Sequence, residues 1–208
     1  TSFITDYLMS LGEMSQRYKK EIKHGFDWVI YRLSLDMGLT PIRLPFSRVP
    51  GDIPAPKTET EFGIDEGYLS PNSEELTIFV LKARQLNKGN WEAERFREDL
   101  EHAKLIVLPD SLPKNLKSVK IILAYNQDDT RDGIILFNAF AKLNSGERGG
   151  LIFEFERWNI DHIVSQVKTH LMSPELLPPE HFSSFRMIFD LCRTVEPFGE
   201  EWDRLLVA

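Results

Sequence analysis

The chain has 208 residues, of which 42% are hydrophobic and 27% are charged, and its formal net charge is −7. These values are typical of a globular protein with one domain, and no apolar run approaches the roughly 20 residues that a membrane span needs. The single cysteine excludes an intrachain disulfide framework and fits a reducing cytosol, and the negative charge argues against a protein that coats nucleic acid through its overall field.

The N-terminal third predicts two helices followed by an irregular connection. Apolar residues at helical spacing predict a first helix over residues 5–23. A second apolar stripe runs from Phe26 to Met37, and Gly38 follows it as a terminator. The proline-rich segment from Pro41 to Pro56 predicts a surface loop, because proline breaks regular elements.

A strand pair and a long helix come next. The segments Phe62–Tyr68 and Leu76–Arg84 are rich in strand-forming residues, and the turn sequence Ser70-Pro71-Asn72-Ser73 separates them, so they predict a hairpin. The segment Trp91–Lys104 has helical periodicity, and Asn90 is its expected N-cap.

The second half of the chain alternates between strand and helix patterns. Val119–Tyr125 is almost continuously apolar and predicts a buried strand, which a helix over Asp132–Leu143 follows. The glycine-containing segment 144–150 predicts a turn into a second strand, Leu151–Phe155. This order is typical of the α/β class.

The end of the chain predicts one more helix of the main unit and an extension. The helix is expected over residues 161–170, with Asp161 as its N-cap. Prolines then punctuate a helical extension that includes a helix over Phe182–Cys192. We therefore divide the chain into a main domain, residues 1–172, and an extension, residues 173–208, that leads to a further domain of a longer protein.

The hairpin carries the most suggestive pair of charged residues. Asp65 precedes the turn, and Lys82 ends the strongly apolar strand that follows it. Because neighbouring strands lie about 4.8 Å apart, the two side chains can approach each other at the end of the sheet. A carboxylate can hold Mg²⁺ there, and a lysine can stabilise negative charge that develops during phosphodiester cleavage. Taken singly, an aspartate beside a turn and a lysine at a strand end are more often structural.

Four segments resemble the restriction-endonuclease-like nucleases, the PD-(D/E)xK superfamily, and in particular Mrr-like modules of prokaryotic anti-phage defence proteins. The segment "GFDWVIYRLSLDMGL" resembles their first helix, with Asp27 in place of a glutamate. The segment "FGIDEGYL" resembles the strand that carries their metal-binding aspartate, here Asp65, and "IFVLKAR" resembles their third motif, with Lys82 as its lysine. The helix "GNWEAERFREDLEHA" is similar to the one that follows the lysine strand. The resemblance covers about Phe26 to Gln166.

The resemblance implies a mixed sheet flanked by helices, Mg²⁺ or Mn²⁺ as the cofactor, and DNA as the substrate. It also implies that the chain is the effector part of a larger prokaryotic defence protein that forms homo-oligomers. The implied catalytic residues are Asp65, Lys82 and Asp27. The implied metal ligands are Asp65 and a second carboxylate, for which Glu61 is the first candidate.

One position departs from the pattern of this superfamily. An acidic residue or a glutamine should lie two residues before Lys82, but Val80 stands there and cannot bind a metal ion. Three interpretations remain open. Another carboxylate fills the gap, with Glu61, Glu66 and Glu98 as candidates; the site is inactive and the fold serves binding; or the motif itself has been altered, as the small Ala83 beside Lys82 would allow.

Two functional hypotheses follow from these residues. The first is a metal-dependent DNA endonuclease with a degenerate motif, and the second is an inactive module of the same fold that binds a partner protein or nucleic acid. Geometry discriminates between them. Two carboxylates within about 5 Å of the Lys82 amine favour a metal site, whereas an Asp65 carboxylate bound by backbone amides favours a structural role.

Overall fold

A six-stranded mixed β-sheet forms the centre of the fold. A computed structural model of the chain describes residues 4–6, 8–9, 26–42, 44, 65–105 and 112–171. The strand order is β1-β2-β3-β4-β6-β5; the central strands β3, β4 and β6 are parallel, and the outer neighbours pair antiparallel. The strands are β1 (Thr40–Ile42), β2 (Glu66–Leu69), β3 (Glu75–Lys82), β4 (Ser118–Tyr125), β5 (Gly146–Arg148) and β6 (Leu151–Trp158).

Helices cover both faces of this sheet. The helices are α1 (Phe26–Asp36), α2 (Lys88–Ala93), α3 (Phe96–Lys104), α4 (Arg131–Asn144) and α5 (Ile160–His170). Buried residues of α2, α3 and α4 pack on one face, which we call the α3 face, and those of α1 and α5 pack on the other, the α1 face. The predicted α/β class, a mixed sheet flanked by helices, is confirmed.

The central strand β3 shows how the sequence specifies this layering. Its residues from Leu76 to Val80 are all buried, because both faces of a largely parallel sheet are covered by helices. Side chains alternate along a strand, so Ile78 and Val80 belong to the core of the α3 face, whereas Phe79 belongs to the core of the α1 face.

The loops after β3 and β4 contact each other closely. Leu86 and Asp129 form an isolated parallel β-bridge, and the backbone N–H of Thr130 donates to the carbonyl oxygen of Leu86 at 2.9 Å. Helix α4 begins here, with the Thr130 hydroxyl accepting from the backbone N–H of Gly133. A Cβ atom on Gly133 would lie 2.3 Å from the Leu86 carbonyl oxygen, so this approach requires glycine.

The predicted loop from Pro41 to Pro56 is wrong at its start. Pro41 lies within the short strand β1, where it pairs with Tyr68 of β2. Proline is compatible with this position because β1 is the edge strand of the sheet among the residues that the structure describes. The helix before it agrees with the prediction, and Gly38 follows with a positive φ of 79°.

The predicted long helix Trp91–Lys104 is two helices. Helix α2 begins earlier, after Asn87, whose side chain accepts from the backbone N–H of Asn90; Asn90 is therefore inside the helix rather than its N-cap. The helical conformation is then interrupted at Arg95, which adopts a left-handed conformation with φ 58°. The periodicity persists across the break, which explains why one helix was expected.

Two further expectations in the second half of the chain are corrected. The segment 144–150 contains a strand, β5, which pairs with β6 through a turn at Gly149 and Gly150, both with positive φ. The N-cap of α5 is Asn159, which accepts from the backbone N–H of His162, and Asp161 lies in the first turn. Both aspartate and asparagine suit helix starts, so the sequence alone did not separate them.

Several predictions lie outside the described residues. They include most of the first predicted helix, the proline-rich connection after Leu44, and the whole extension with its predicted helix and Cys192. Residues 4–6 and 8–9 are helical, as expected there. Within the part of the chain that is described, no helix is long and apolar enough to cross a membrane.

Candidate active site

Asp65 lies immediately before β2 and is bound to the backbone of β3. Its N–H donates to the Phe79 carbonyl oxygen at 3.0 Å, and its carboxylate oxygen Oδ2 accepts from the Leu81 N–H at 2.7 Å. The regular pairing of β2 with β3 begins at the next residue, Glu66, which lies opposite Phe79. The Asp65 carboxylate therefore takes the role of a backbone acceptor beyond the paired part of the strands.

Lys82 is the last residue of β3 and projects toward helix α3. It follows Val80 by two residues and so lies on the α3 face. Its Nζ atom donates to Oδ2 of Asp99 and lies 5.7 Å from the centre of the Phe96 ring. The ammonium group is thus held between a carboxylate and an aromatic face, both contributed by α3.

Asp99 is the acidic partner that the sequence reading missed. Its side chain is only 9% exposed, compared with 51% for its neighbour Glu98. A signal was present in the sequence: Asp99 occupies the i+3 position of the stripe Phe96, Leu100 and Ala103, which are all buried. A carboxylate on the inward face of a helix needs a partner, and Lys82 provides it.

Arg95 stands at the rim of this ion pair. Its guanidinium donates to both carboxylate oxygens of Glu98 at 2.9 Å, and its Nη2 atom lies 3.9 Å from Oδ1 of Asp99. The Arg95 guanidinium lowers the pKa of the exposed Glu98 carboxyl. The left-handed backbone of Arg95 is strained for a residue with a side chain, and such strain concentrates at functional sites.

The other candidate carboxylates from the sequence take different positions. Glu98 is exposed and bound to Arg95, and Asp27 lies in the first turn of α1, the helix that covers the opposite face of the sheet. Glu61 lies outside the described residues. Val80 is fully buried in the core of the α3 face, as its side chain requires.

Glu66 also belongs to the opposite face, since its partner in β3 is Phe79. The Tyr68 hydroxyl donates to its Oε2 atom at 2.5 Å, and both residues are buried. Burial, reinforced by the Glu66 carboxylate, raises the pKa of Tyr68 above its usual range. This pair is separated from Lys82 by the thickness of the sheet, so Glu66 does not replace the acid that Val80 lacks.

A second polar cluster lies at the carboxyl ends of β4 and β6. Oδ2 of Asp129 accepts hydrogen bonds from the Tyr125 hydroxyl at 2.8 Å, from the Arg157 guanidinium and from the Asn159 amide at 3.5 Å. The sequence reading did not identify these residues, because they come from two segments that are far apart in the chain and match no short motif. They lie at the end of the parallel strands at which Lys82 also stands.

Two carboxylates contact the end of β3. Asp65 and Asp99 contact consecutive residues of β3, the first at the Leu81 backbone and the second at the Lys82 side chain. Magnesium sites commonly use only one or two carboxylates together with water and substrate phosphate oxygens. No group of three or more His, Cys, Asp or Glu side chains suited to a metal ion occurs among the described residues.

Comparisons with protein-family models, with curated proteins and with solved structures each gave no match for this chain.

Proposed function

We propose that this chain is a metal-dependent phosphodiesterase module of the restriction-endonuclease-like type that acts on DNA. The observation that carries the proposal is the contact of Lys82 with Asp99, at the end of the strand that Asp65 also binds. This contact supplies a carboxylate on the same face of the sheet as Val80, where the usual acid is missing. The further role, as the effector of a prokaryotic defence protein, rests on the resemblance of the quoted segments alone.

In this proposal the two aspartates and the lysine have separate tasks. Asp65 and Asp99 would hold Mg²⁺ or Mn²⁺, which polarises a phosphodiester and lowers the pKa of a bound water molecule. Lys82 would stabilise the negative charge that develops on the phosphate oxygens, because its ammonium group is fixed in place before the reaction begins. Phe96 restricts the position of the ammonium group from below.

Asp99 can supply the carboxylate that is missing at position 80 because α3 and the Val80 side chain lie on the same face of the sheet. Val80 packs in the same core as Phe96 and Leu100 of α3. The carboxylate of Asp99, next to Leu100 on this helix, therefore reaches Lys82 at the margin of that core. The acid thus comes from the helix after the lysine strand rather than from the strand itself. Its burial and its cationic partner keep it aimed at the end of β3.

A second candidate function is an inactive module of the same fold that binds a protein or nucleic acid. The observation that favours it is the hydrogen bond from the Leu81 N–H to the Asp65 carboxylate, which is the contact expected of a structural aspartate. Lys82 and Asp99 neutralise each other in the same way. Under this alternative the charged groups maintain the end of the hairpin, and neither divalent metal promotes cleavage.

The test is cleavage of supercoiled plasmid DNA by the purified chain in Mg²⁺ and in Mn²⁺. We expect Asp65→Asn and Asp99→Asn to abolish cutting, and Lys82→Ala to slow it by about a hundredfold or more, the usual cost of losing one group that stabilises developing charge. Glu98→Gln is the matched control, since Glu98 neighbours Asp99 but is exposed and bound to Arg95.

Each outcome distinguishes the alternatives. No cutting by the parent chain in either metal supports the inactive module and contradicts the phosphodiesterase. If Asp65→Asn abolishes cutting but Asp99→Asn does not, the chain is still a phosphodiesterase, and Asp99 is not part of its active site. Cutting that all of these variants retain would locate the activity elsewhere or identify a contaminant.

A further inference from the structure

Arg157 and Lys82 share one face and one end of the sheet. Lys82 pairs in register with Tyr125 of β4, and Leu123 of β4 pairs with Arg157 of β6. Residues in register, and residues two apart along a strand, point to the same face. Lys82, Tyr125 and Arg157 therefore form a row across three neighbouring parallel strands, on the face that α3 covers.

The two cations of this row are held in similar ways. Asp99 binds Lys82, and Asp129 binds Arg157. The Arg157 guanidinium also donates to the Tyr125 hydroxyl oxygen at 3.2 Å, and that hydroxyl donates to Asp129 at 2.8 Å. A tyrosine hydroxyl is protonated at neutral pH, and burial raises the pKa of Tyr125 further above its usual range, so this hydroxyl is a donor.

Folding alone gives little reason for this second ion pair. Partly buried ion pairs are often no more stabilising than well-packed apolar residues, because their desolvation offsets their attraction. The Arg157 side chain remains 29% exposed, against 14% for Asp129, so the guanidinium is accessible to a ligand while its position is fixed from below. Ligands of open α/β sheets bind at the carboxyl ends of the parallel strands, which is where this pair lies.

We propose that Arg157 is a second phosphate-binding residue, which contacts a backbone phosphate of nucleic acid next to the one at Lys82. The proposal rests on the function proposed above and extends its site. The strands that carry Lys82 and Arg157 are two strand spacings apart, about 10 Å, a span that one nucleic-acid chain with a phosphate at every nucleotide can bridge. Arginine suits the task because its planar fork matches the oxygens of a phosphate.

In this arrangement Tyr125 and Asp129 are positioning residues. Tyr125 is buried between the two cations and holds the Arg157 guanidinium through its hydroxyl oxygen. Asp129 orients the guanidinium and also competes with a phosphate for it. Loss of the Asp129 charge should therefore free Arg157 for the ligand, whereas a purely structural ion pair would gain no affinity from that change.

The test is the salt dependence of DNA binding, measured in EDTA so that cleavage does not interfere. The probe is a fluorescein-labelled DNA duplex of mixed sequence, titrated at several KCl concentrations. Each phosphate contact contributes about 0.9 to the slope of log K against log salt concentration. Arg157→Gln should reduce this slope by about 0.9, and Arg157→Lys should retain it. Asp129→Asn should tighten binding at low salt.

Arg148→Gln is the matched control. Arg148 lies on β5, opposite Leu151 at the start of β6, and therefore at the other end of the sheet from Arg157. Its guanidinium stacks on Phe153 at 5.3 Å and donates to the Asn144 carbonyl oxygen. Its loss removes one positive charge from the same sheet, so it separates a general charge effect from a contact at the carboxyl end.

The proposal is overturned if Arg157→Gln leaves the slope unchanged, if Arg148→Gln lowers it equally, or if the parent chain does not bind the duplex. Thermal melting of each variant establishes that it is folded. If Arg157→Gln does not fold, the binding of the duplex by Asp129→Asn decides the question. Binding by Asp129→Asn that is no tighter than that of the parent chain contradicts the proposal. Plasmid cleavage run in parallel separates the two proposals. If DNA binding depends on Arg157 but the parent chain does not cut, only the phosphodiesterase is contradicted. If the parent chain cuts but Arg157→Gln leaves the salt slope unchanged, only the phosphate contact of Arg157 is contradicted.

Discussion

Lys82 and Asp99 form an ion pair that joins the end of β3 to α3, with side chains 16% and 9% exposed. The Lys82 ammonium group donates to the Asp99 carboxylate and also lies 5.7 Å from the centre of the Phe96 ring. Under both proposed functions this pair connects α3 to the sheet, in addition to the apolar packing of that helix. Its energetics and its chemistry can be measured separately.

Removal of one member of this pair should cost more stability than removal of both. Asp99→Leu leaves a mostly buried ammonium group without its carboxylate, and we expect the free energy of unfolding to fall by about 2–4 kcal/mol. The double variant Lys82→Met with Asp99→Leu should recover most of that loss. Urea unfolding of the parent, both single variants and the double variant gives the coupling energy. A coupling energy near zero would contradict the structural importance of the pair.

Two substitutions of Asp65 separate its contribution to stability from its contribution to cleavage. Asp65→Asn keeps a carbonyl oxygen that can accept from the Leu81 N–H, whereas Asp65→Ala leaves that N–H without its acceptor. We expect Asp65→Ala to lower the free energy of unfolding by about 1–3 kcal/mol and Asp65→Asn to lower it by much less. Both should lose metal-dependent cleavage. Full cleavage by Asp65→Asn would mean that the aspartate is structural.

Gly133 should tolerate no side chain. A methyl group there would meet the Leu86 carbonyl oxygen, and the strain of such overpacking is typically about 1–3 kcal/mol. We expect Gly133→Ala to lower the melting temperature clearly, although alanine is the better helix former. Asn138→Ala, at an exposed position of the same helix, is the control and should change stability by less than about 0.5 kcal/mol. Equal melting of the two variants would be inconsistent with the close approach.

Stability should fall at alkaline pH because of two buried tyrosines. The folded state raises the pKa of Tyr68 and of Tyr125 above the unfolded value of about 10. Their contribution is therefore complete below about pH 10 and is lost as the pH rises, since only the unfolded state then releases the protons. By pH 11 each tyrosine should lower the free energy of unfolding by about 1 kcal/mol.

Phenylalanine substitutions test that assignment. Tyr68→Phe should remove part of the decline between pH 9 and pH 11, and the double variant with Tyr125→Phe should remove more. The measurement is urea unfolding across this range, with each variant compared with itself at pH 8. A decline that is equally steep in the double variant would assign the pH dependence to other groups.

Sequence periodicity predicted the elements whose burial is one-sided or complete. The stripe from Phe26 to Met37 and the apolar run Val119–Tyr125 both became the expected helix and strand, because hydrophobic spacing records which side of an element is buried. Strand β5 was missed because its three residues are mostly exposed and polar, and pairing with β6 rather than burial defines it. Its two-glycine turn was the only local signal.

The candidate site was predictable only in part, for a related reason. Asp65 and Lys82 lie on one hairpin, so their proximity follows from short-range pairing. Asp99 reaches Lys82 through the packing of α3, and the angle of that helix depends on the break at Arg95, which the continuous periodicity conceals. Asp129 and Arg157 are 28 residues apart and meet only because β4 and β6 are neighbours. A single sequence carries no signal for such long-range contacts.

The bridge between Leu86 and Asp129 joins the backbone segments that carry the two charged centres. The segment after Leu86 leads into α2 and α3, which carry Asp99, and Asp129 itself holds Arg157. The two centres are therefore connected through one backbone contact, which the Thr130–Leu86 hydrogen bond reinforces. Because this bridge joins the two segments, we expect a ligand that shifts the backbone at one centre to influence binding at the other.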